Sequence, residues 1–521
     1  MPRQLRKQHV LPVWQESNIK SGMTAVMPLS REMRGRVEKS FENPLQLKNA
    51  DTIIEPEFHW EVSCVKIMKK HQSSMLEGPL LSSIIFYTIP IIMTSVLQLL
   101  FNAADLIVVG RFCGSVSVGA VGATGSLTAL MVNLFVGLSI GAGVAVAHGI
   151  GSRDEEQVSN AVHTALPLAL LGGAILTAIG LLFSEPLLML MGTPENTLPL
   201  SVVYMKIYFC GISFTVVYNF CAAILRAAGD TRSPLIFLTI AGVVNVILNV
   251  VFVTLLHMNV AGVALATTIS QAIAAVLVVR ALMKRTDACK LQLRKMRFYK
   301  HQLIKIVRIG LPAGIQSSLF SISNVLIQSS INSFGDIFVS GNAAATNLEN
   351  FLYVSLNSFH QTTVNFVGQN VGARQYRRAN NTVWICQSCV LVVGIALGTA
   401  IWAFGEQLLG IYISDSPEAI QYGMIRFVYV TLPYFVLGLL DVSTGALRGY
   451  GKSLTPMIIS VLGICGIRVM WIFTVFQLPA FHNPKWLYLS YPISWVVTLV
   501  VQMIFFFRIR AQYLHKDKNL T

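Results

Sequence analysis

Residues 118–145 read VGAVGATGSLTALMVNLFVGLSIGAGVA, 28 positions without one ionisable side chain. A helix needs about 20 apolar residues to cross a hydrocarbon core of roughly 30 Å, so this stretch spans a bilayer with residues to spare for tilt. The rest of the chain carries the same bias: over 521 residues it is 54% hydrophobic and only 12% charged, with a mean hydropathy of +0.62. Too little polar surface remains to cover several soluble domains. The fold class this implies is an all-α polytopic membrane protein.

Outward from that stretch, apolar segments alternate with short polar turns. Spans are expected at 79–109, 118–148, 160–182, 200–225, 234–256, 261–283, 303–333, 339–369, 381–404, 421–447, 455–478 and 486–508, which makes twelve transmembrane helices. Pro90, Pro312 and Pro433 fall within spans, where they kink a helix and free a carbonyl that needs another partner.

The formal charge of +15 would suggest nucleic acid in a soluble protein, but the 39 Lys and Arg sit at membrane edges. Arg153, Arg226, Arg232, the run from Lys284 to Lys300, Arg374, Arg377, Arg378, Arg448, Lys452, Arg508 and Arg510 all follow even-numbered spans. The opposite loops carry Glu185, Glu195, Asp336, Glu406, Asp415 and Glu418, with Arg111 and Lys485 their only basic residues. By the positive-inside rule both termini are cytoplasmic. The run at 284–300 then meets anionic lipid, and no nucleic-acid partner is expected. Residues 1–75 hold no apolar run of signal-peptide length and read as a cytoplasmic, disordered extension, with Met75 an alternative start. The eight cysteines form no disulfide framework, and the close pair Cys386 and Cys389 has no second pair with which to hold zinc. No metal site is expected from them.

Internal repetition is the most informative feature. Pro90 recurs as Pro312, Gly151-Ser152-Arg153 as Gly372-Ala373-Arg374, Glu185 as Glu406, and Leu225-Arg226-Ala227-Ala228-Gly229 as Leu447-Arg448-Gly449-Tyr450-Gly451. A constant offset means two homologous halves of six spans. Six is even, so both halves run in the same direction and form a parallel repeat about an axis along the membrane normal, as in transporters whose site lies between repeats. The expected organisation is an amino-terminal lobe at 76–283, a basic linker at 284–302, a carboxy-terminal lobe at 303–510 and a tail at 511–521.

In order along the chain, Phe101-Asn102-Ala103-Ala104-Asp105, the Leu225–Asp230 turn, Gly242–Asn249, Gly310-Leu311-Pro312-Ala313-Gly314, Gly368–Ala373, Gly445–Gly449 and Tyr488–Pro492 resemble the multidrug and toxic compound extrusion family over roughly residues 76–510. The resemblance implies two six-helix lobes enclosing a cavity. It also implies export of amphipathic, often cationic, drugs or toxic organic cations in exchange for H+ or Na+, with no ATP, no other cofactor and no catalysis. A monomer in the bacterial cytoplasmic membrane is the expected form.

Only Asp105, Glu349 and Asp441 are acidic residues well inside spans. A carboxylate at membrane depth is costly unless it faces protein or a wet cavity, and one placed there can trade a proton for a cation. Gln98, Asn102 and Asp105 share one helical face, and Asn245 and Asn249 make a polar face on the fifth span. In the resembled family an acid in the first span works with Asn and Asp on the fifth, positions that map to Asp105, Asn245 and Asn249. Asn249 stands where many relatives carry Asp, which weakens Na+ coordination near Asp105 and favours its simple protonation. Asp105 could instead pair with neighbouring amides as structural glue.

The second lobe has its own polar set. Glu349, Tyr353 and Asn357 form one stripe and Asn324, Gln328 and Asn332 another, with Asp441 and Arg468 on the tenth and eleventh spans. An Asp441–Arg468 ion pair locking the lobe and a transport site are both open. Glu349, for which sequence identifies no basic neighbour, reads as a second titrating or substrate-facing group. Gly137-Leu138-Ser139-Ile140-Gly141 matches a hydrolase pattern, but no strand precedes it, and small residues four apart serve close helix packing. His148, His163 and His257 lack zinc spacing and read as helix-end residues. A flippase for a lipid-linked or polar lipid substrate is the alternative function; it requires a cationic cavity, and Arg468 is the only deep basic residue expected.

Overall fold

The structure is a computed structural model that describes residues 75–413 and 416–518. Residues 1–74, which include nearly all of the expected extension, together with Ser414, Asp415 and residues 519–521, lie outside the described residues. Twelve long helical rods follow one another. The first six are α1 (Leu80–Phe112), α2 (Ser115–Gly151), α3 (Glu155–Leu190), α4 (Leu198–Ala227), α5 (Arg232–Leu255) and α6 (Asn259–Lys284). The second six are α7 (Lys300–Asn332), α8 (Asp336–Gly372), α9 (Tyr376–Ala403), α10 (Pro417–Thr431 with Tyr434–Gly449), α11 (Leu454–Gln477) and α12 (Pro484–Lys518). Ten are long and apolar enough to cross a membrane, and the two parts of α10, bent by 40° around Pro433, make an eleventh. The eighth, α8, is 37 residues long and has a polar inner face, with Asn342, Glu349, His360, Asn365, Gln369 and Asn370 all buried.

The duplicated motifs are duplicated backbone geometry. At the end of α4 the amide of Asp230 reaches back to the Leu225 carbonyl at 2.9 Å, and at the end of α10 that of Lys452 reaches Leu447 at 2.9 Å. The residue between must turn left-handed, and it is Gly in both halves: Gly229 at φ 87° and Gly451 at φ 78°. Arg153 and Arg374 repeat the same turn at φ 56° and 59° after α2 and α8. The chain therefore stops its helices at matching places in each lobe.

Helices α2–α6 pack round one buried core, α7–α12 round others, and α1 divides its buried residues between a small cluster with α5 and α6 and a core shared with α8–α10 and α12; the two lobes meet along α2 with α7 and α8 and along α1 with α8. Gly137 and Gly141 explain that seam, because they place the α2 backbone against Ala313-Gly314 and Ile306–Gly310 of α7, where a side chain has no room. Sequence read this Gly-x-Ser-x-Gly as helix packing, and the structure uses it so. Outward-facing Leu81, Phe86, Leu182, Leu190 and Val392 remain exposed, as expected of helices in lipid.

Candidate functional site

In the first lobe α1, α5 and α6 bring one carboxylate among amides and a hydroxyl. Asn249 donates to Asp105 Oδ1 at 2.5 Å and Thr267 to Oδ2 at 3.3 Å. Asn249 also donates to Asn245 Oδ1 at 3.1 Å, and Asn245 to Thr267 at 3.3 Å. Asp105 takes part in none of the ion pairs among the described residues. Asn249 Oδ1 is buried without a hydrogen-bond partner among the described residues. Thus Asp105, Asn245 and Asn249 lie together, the grouping that the family resemblance implies, and Thr267 of α6 joins them, a neighbour that sequence reading missed. Asn102 does not join it: Asn102 and Gln98 are exposed on α1. A residue three positions earlier lies about 60° round the helix, enough to leave the α5 contact.

The second lobe holds a cavity of about 480 Å³, within the range of small-molecule sites. Asn324, Gln328, Glu349, Tyr353, Asp441 and Arg468, six residues from four different spans, all line it. Two sequence expectations about these residues are overturned. Glu349 has a basic neighbour after all: Arg426 of α10 grips it with Nε to Oε1 at 3.1 Å and Nη2 to Oε2 at 2.7 Å, and Thr431 adds a hydroxyl to Oε1 at 2.8 Å. Asp441 does not pair with Arg468. Asn357 hydrogen-bonds Asp441, and the charge acting on it is that of Arg448. Arg448 in turn donates to His360 Nε2 at 3.2 Å and to Gln316 at 2.9 Å.

Arg468 points elsewhere because α11 packs on α12. Its Nε donates to Ser494 at 3.0 Å, and its guanidinium lies 4.1 Å over the Tyr491 ring and 5.6 Å from that of Trp495. The expectation of a single deep basic residue is therefore also corrected: Arg426, Arg448 and Arg468 are all buried.

Access to this region is one-sided. The lobes are bonded from Asn133–Ser321 and Ser318–Leu130 near mid-helix to the terminus-bearing end, where Thr88 meets Thr362 at 2.8 Å, Gln369 reaches the Ala227 carbonyl at 2.7 Å and His148 that of Gly449 at 2.8 Å. Toward the other end no hydrogen bond joins the lobes among the described residues, and Gly122 and Gly125 of α2 face open space. His163 accepts from the Gln292 amide at 3.0 Å and holds the linker. The seven described cysteines are free.

This architecture matches proteins of known kind. Among solved structures, one described as the outward-facing conformation of a multidrug resistance MATE family transporter of the MOP superfamily superposes with a TM-score of 0.78 at 21% identity, over 85% of this chain and 98% of its own. The probable multidrug resistance protein YpnP of Bacillus subtilis is 27% identical over 393 residues, 75% of this chain and 87% of that protein. The probable multidrug resistance protein YoeA of the same organism is 25% identical over 449 residues, 84% of this chain and 95% of that protein. The MatE family model matches twice, over residues 90–251 and 312–474, each match beginning at one of the repeated prolines. The chain belongs to the multidrug and toxic compound extrusion family of membrane transporters.

Proposed function

We propose that the protein is a secondary exporter of amphipathic organic compounds, driven by inward movement of H+ or Na+ and working by alternating access. It acts as a monomer in the bacterial cytoplasmic membrane with both termini inside, as the distribution of basic residues suggests. In that orientation the conformation is closed toward the cytoplasm. The names of its relatives, probable multidrug resistance proteins, support drug-like cargo.

One observation carries the coupling: Asp105 is held inside the first lobe by Asn249 and Thr267, and no cationic side chain pairs with it among the described residues. A carboxylate in that setting binds a proton or a small cation and releases it when the lobe opens the other way. Sodium would also have Asn245 Oδ1 and the unpartnered Asn249 Oδ1 as neutral donors. Alternating access follows if the lobes rock about the α2–α7 seam, whose glycines offer a smooth contact.

The test is dye export from proteoliposomes under a proton gradient and a sodium gradient imposed one at a time. Export under one gradient and not the other names the ion, and no response to either removes the antiport reading.

A further inference from the structure

The second-lobe cavity is lined by one cation that no carboxylate touches among the described residues. Four charged side chains line it: Glu349, Arg426, Asp441 and Arg468. Glu349 and Arg426 neutralise each other at 2.7 Å. Asp441 is hydrogen-bonded by Asn357 and feels the charge of Arg448, which lies behind the wall, bonded to His360 and Gln316. Arg468 remains. It is 5% exposed, forms no ion pair among the described residues, and no carboxylate acts on it. Its Nε is used by Ser494, while neither terminal nitrogen has a protein hydrogen bond among the described residues.

A buried guanidinium without a counterion is costly, and the faces of Tyr491 and Trp495 offset only part of that cost. An anion arriving at the two free nitrogens would be held bidentately. Phe320, Tyr434, Tyr491 and Trp495, which line the same cavity, give an aromatic body apolar surface beside the charge. An organic cation entering the same space meets repulsion from Arg468 and finds Glu349 paired with Arg426 and Asp441 bonded to Asn357 under the charge of Arg448.

We propose that Arg468 anchors the anionic group of an exported aromatic amphiphile, a carboxylate, sulfonate or phosphate ester, in the second-lobe cavity. This deepens the export reading above by naming the substrate class, and it reverses the charge that the family resemblance implies. The anion can belong to a soluble compound or to a lipid headgroup, since both present the same oxygens.

The test is equilibrium titration calorimetry on the full chain in phosphatidylcholine nanodiscs, with empty nanodiscs as reference. The probes are naphthalene-2-sulfonate and (2-naphthyl)methylammonium, alike in ring and opposite in charge. Wild-type protein is expected to bind the sulfonate more tightly than the ammonium. Arg468→Gln should weaken the sulfonate by about 30-fold or more and Arg468→Lys by less. Equal or tighter binding of the ammonium by wild-type protein overturns the proposal without needing a variant to fold. So does an unchanged sulfonate affinity in a monodisperse Arg468→Gln protein. Nanodiscs doped with phosphatidylglycerol separate the sources: weakened sulfonate binding there assigns the site to an anionic headgroup, and unchanged binding to a soluble anion. No gradient is present in the titration, so a failure of the coupling reading leaves this outcome untouched.

Discussion

Arg426 and Glu349 join α10 to α8 through a two-point grip at 3.1 and 2.7 Å, and Asn342 takes the remaining Arg426 amine at 2.7 Å. The pair depends on a local change in helix geometry. Arg426 and Thr431, which both bond Glu349, are five residues apart and would stand about 140° apart on a regular α-helix. The segment Phe427–Thr431 is instead a π turn, whose wider winding brings residues five apart onto nearly the same face.

Breaking this pair on one side leaves a buried charge alone. Glu349→Gln or Arg426→Gln is expected to destabilise the second lobe by about 3–5 kcal/mol, whereas the double variant Glu349→Gln with Arg426→Met should recover much of that loss. Thermal melts of the purified variants check it. Additive losses in the double variant would show that the two residues act independently.

The seam between the lobes is set by missing side chains. A Cβ at Gly310 would come within 2.6 Å of the Leu138 Cα, and one at Gly137 within 2.8 Å of the Ala313 carbonyl carbon. Gly310→Val is therefore expected to part α2 from α7 and open the closed end. Val364 belongs to a buried apolar cluster there with Val144 and Ile309. In a background without native cysteines, Val364→Cys should react slowly with a water-soluble maleimide, and many times faster once Gly310→Val is added.

Sequence made the duplicated architecture legible because the motifs that repeat are turn residues, and a left-handed Gly229 or Gly451 cannot be exchanged freely. The Asp105 site was legible for a related reason. Asn245 and Asn249 are one helical turn apart and make a polar face, a lone carboxylate in a span must find polar partners, and the family resemblance pairs the two. The partners of Glu349 were hidden because Arg426 lies 77 positions along the chain and a π turn displaces the face on which regular spacing would put it. Arg468 was misassigned on similar grounds. A further π turn at Val461–Gly466 precedes it, and its direction toward Ser494 depends on how α11 meets α12.

The linker after α6 carries its own electrostatic clasp. Arg285 binds Asp287 through Nε at 2.9 Å, and the Cys289 amide donates to Asp287 at 3.2 Å. Burial raises the Asp287 carboxyl, but the bonds and charge of Arg285 outweigh it and hold the group below the usual carboxylate range. A depressed carboxyl stabilises above its unfolded value, near pH 3.9, and that contribution disappears as pH falls through the lower folded value. Amide exchange across residues 285–291, corrected for intrinsic rate, is expected to stay slow down to about pH 4 and to rise below it. Burial also pushes the Cys289 thiol up to about 12, so this cysteine should resist maleimide at pH 7.5. Asp287→Asn should hasten its labelling a few-fold while leaving the helix-core Cys221 unchanged.

Asp105 is the residue on which coupling rests in the proposed function. Each proton entering supplies about 1.4 kcal/mol per pH unit and about 2.3 kcal/mol per 100 mV, which drives export only if loading of Asp105 and loading of cargo favour opposite-facing conformations. The proposed cargo cavity lies in the other lobe, so in this reading the two sites communicate through the seam. Asp105→Asn fixes the uncharged state while preserving size, and Asn249 can turn its amide to meet it. The variant is expected to express, insert and melt at or above the wild-type temperature, since it removes a buried charge, yet to lose gradient-driven export. Asp105→Glu keeps a carboxylate but lengthens it by one methylene against Asn249 and Thr267, so partial export is expected. Asn249→Asp adds a second carboxylate beside the first and should shift the dependence from H+ toward Na+. The measurement is initial export rate in proteoliposomes at matched protein density under each gradient. If Asp105→Asn exports at the wild-type rate, the coupling role passes from the first lobe to Asp441, the other spanning carboxylate that forms no ion pair among the described residues.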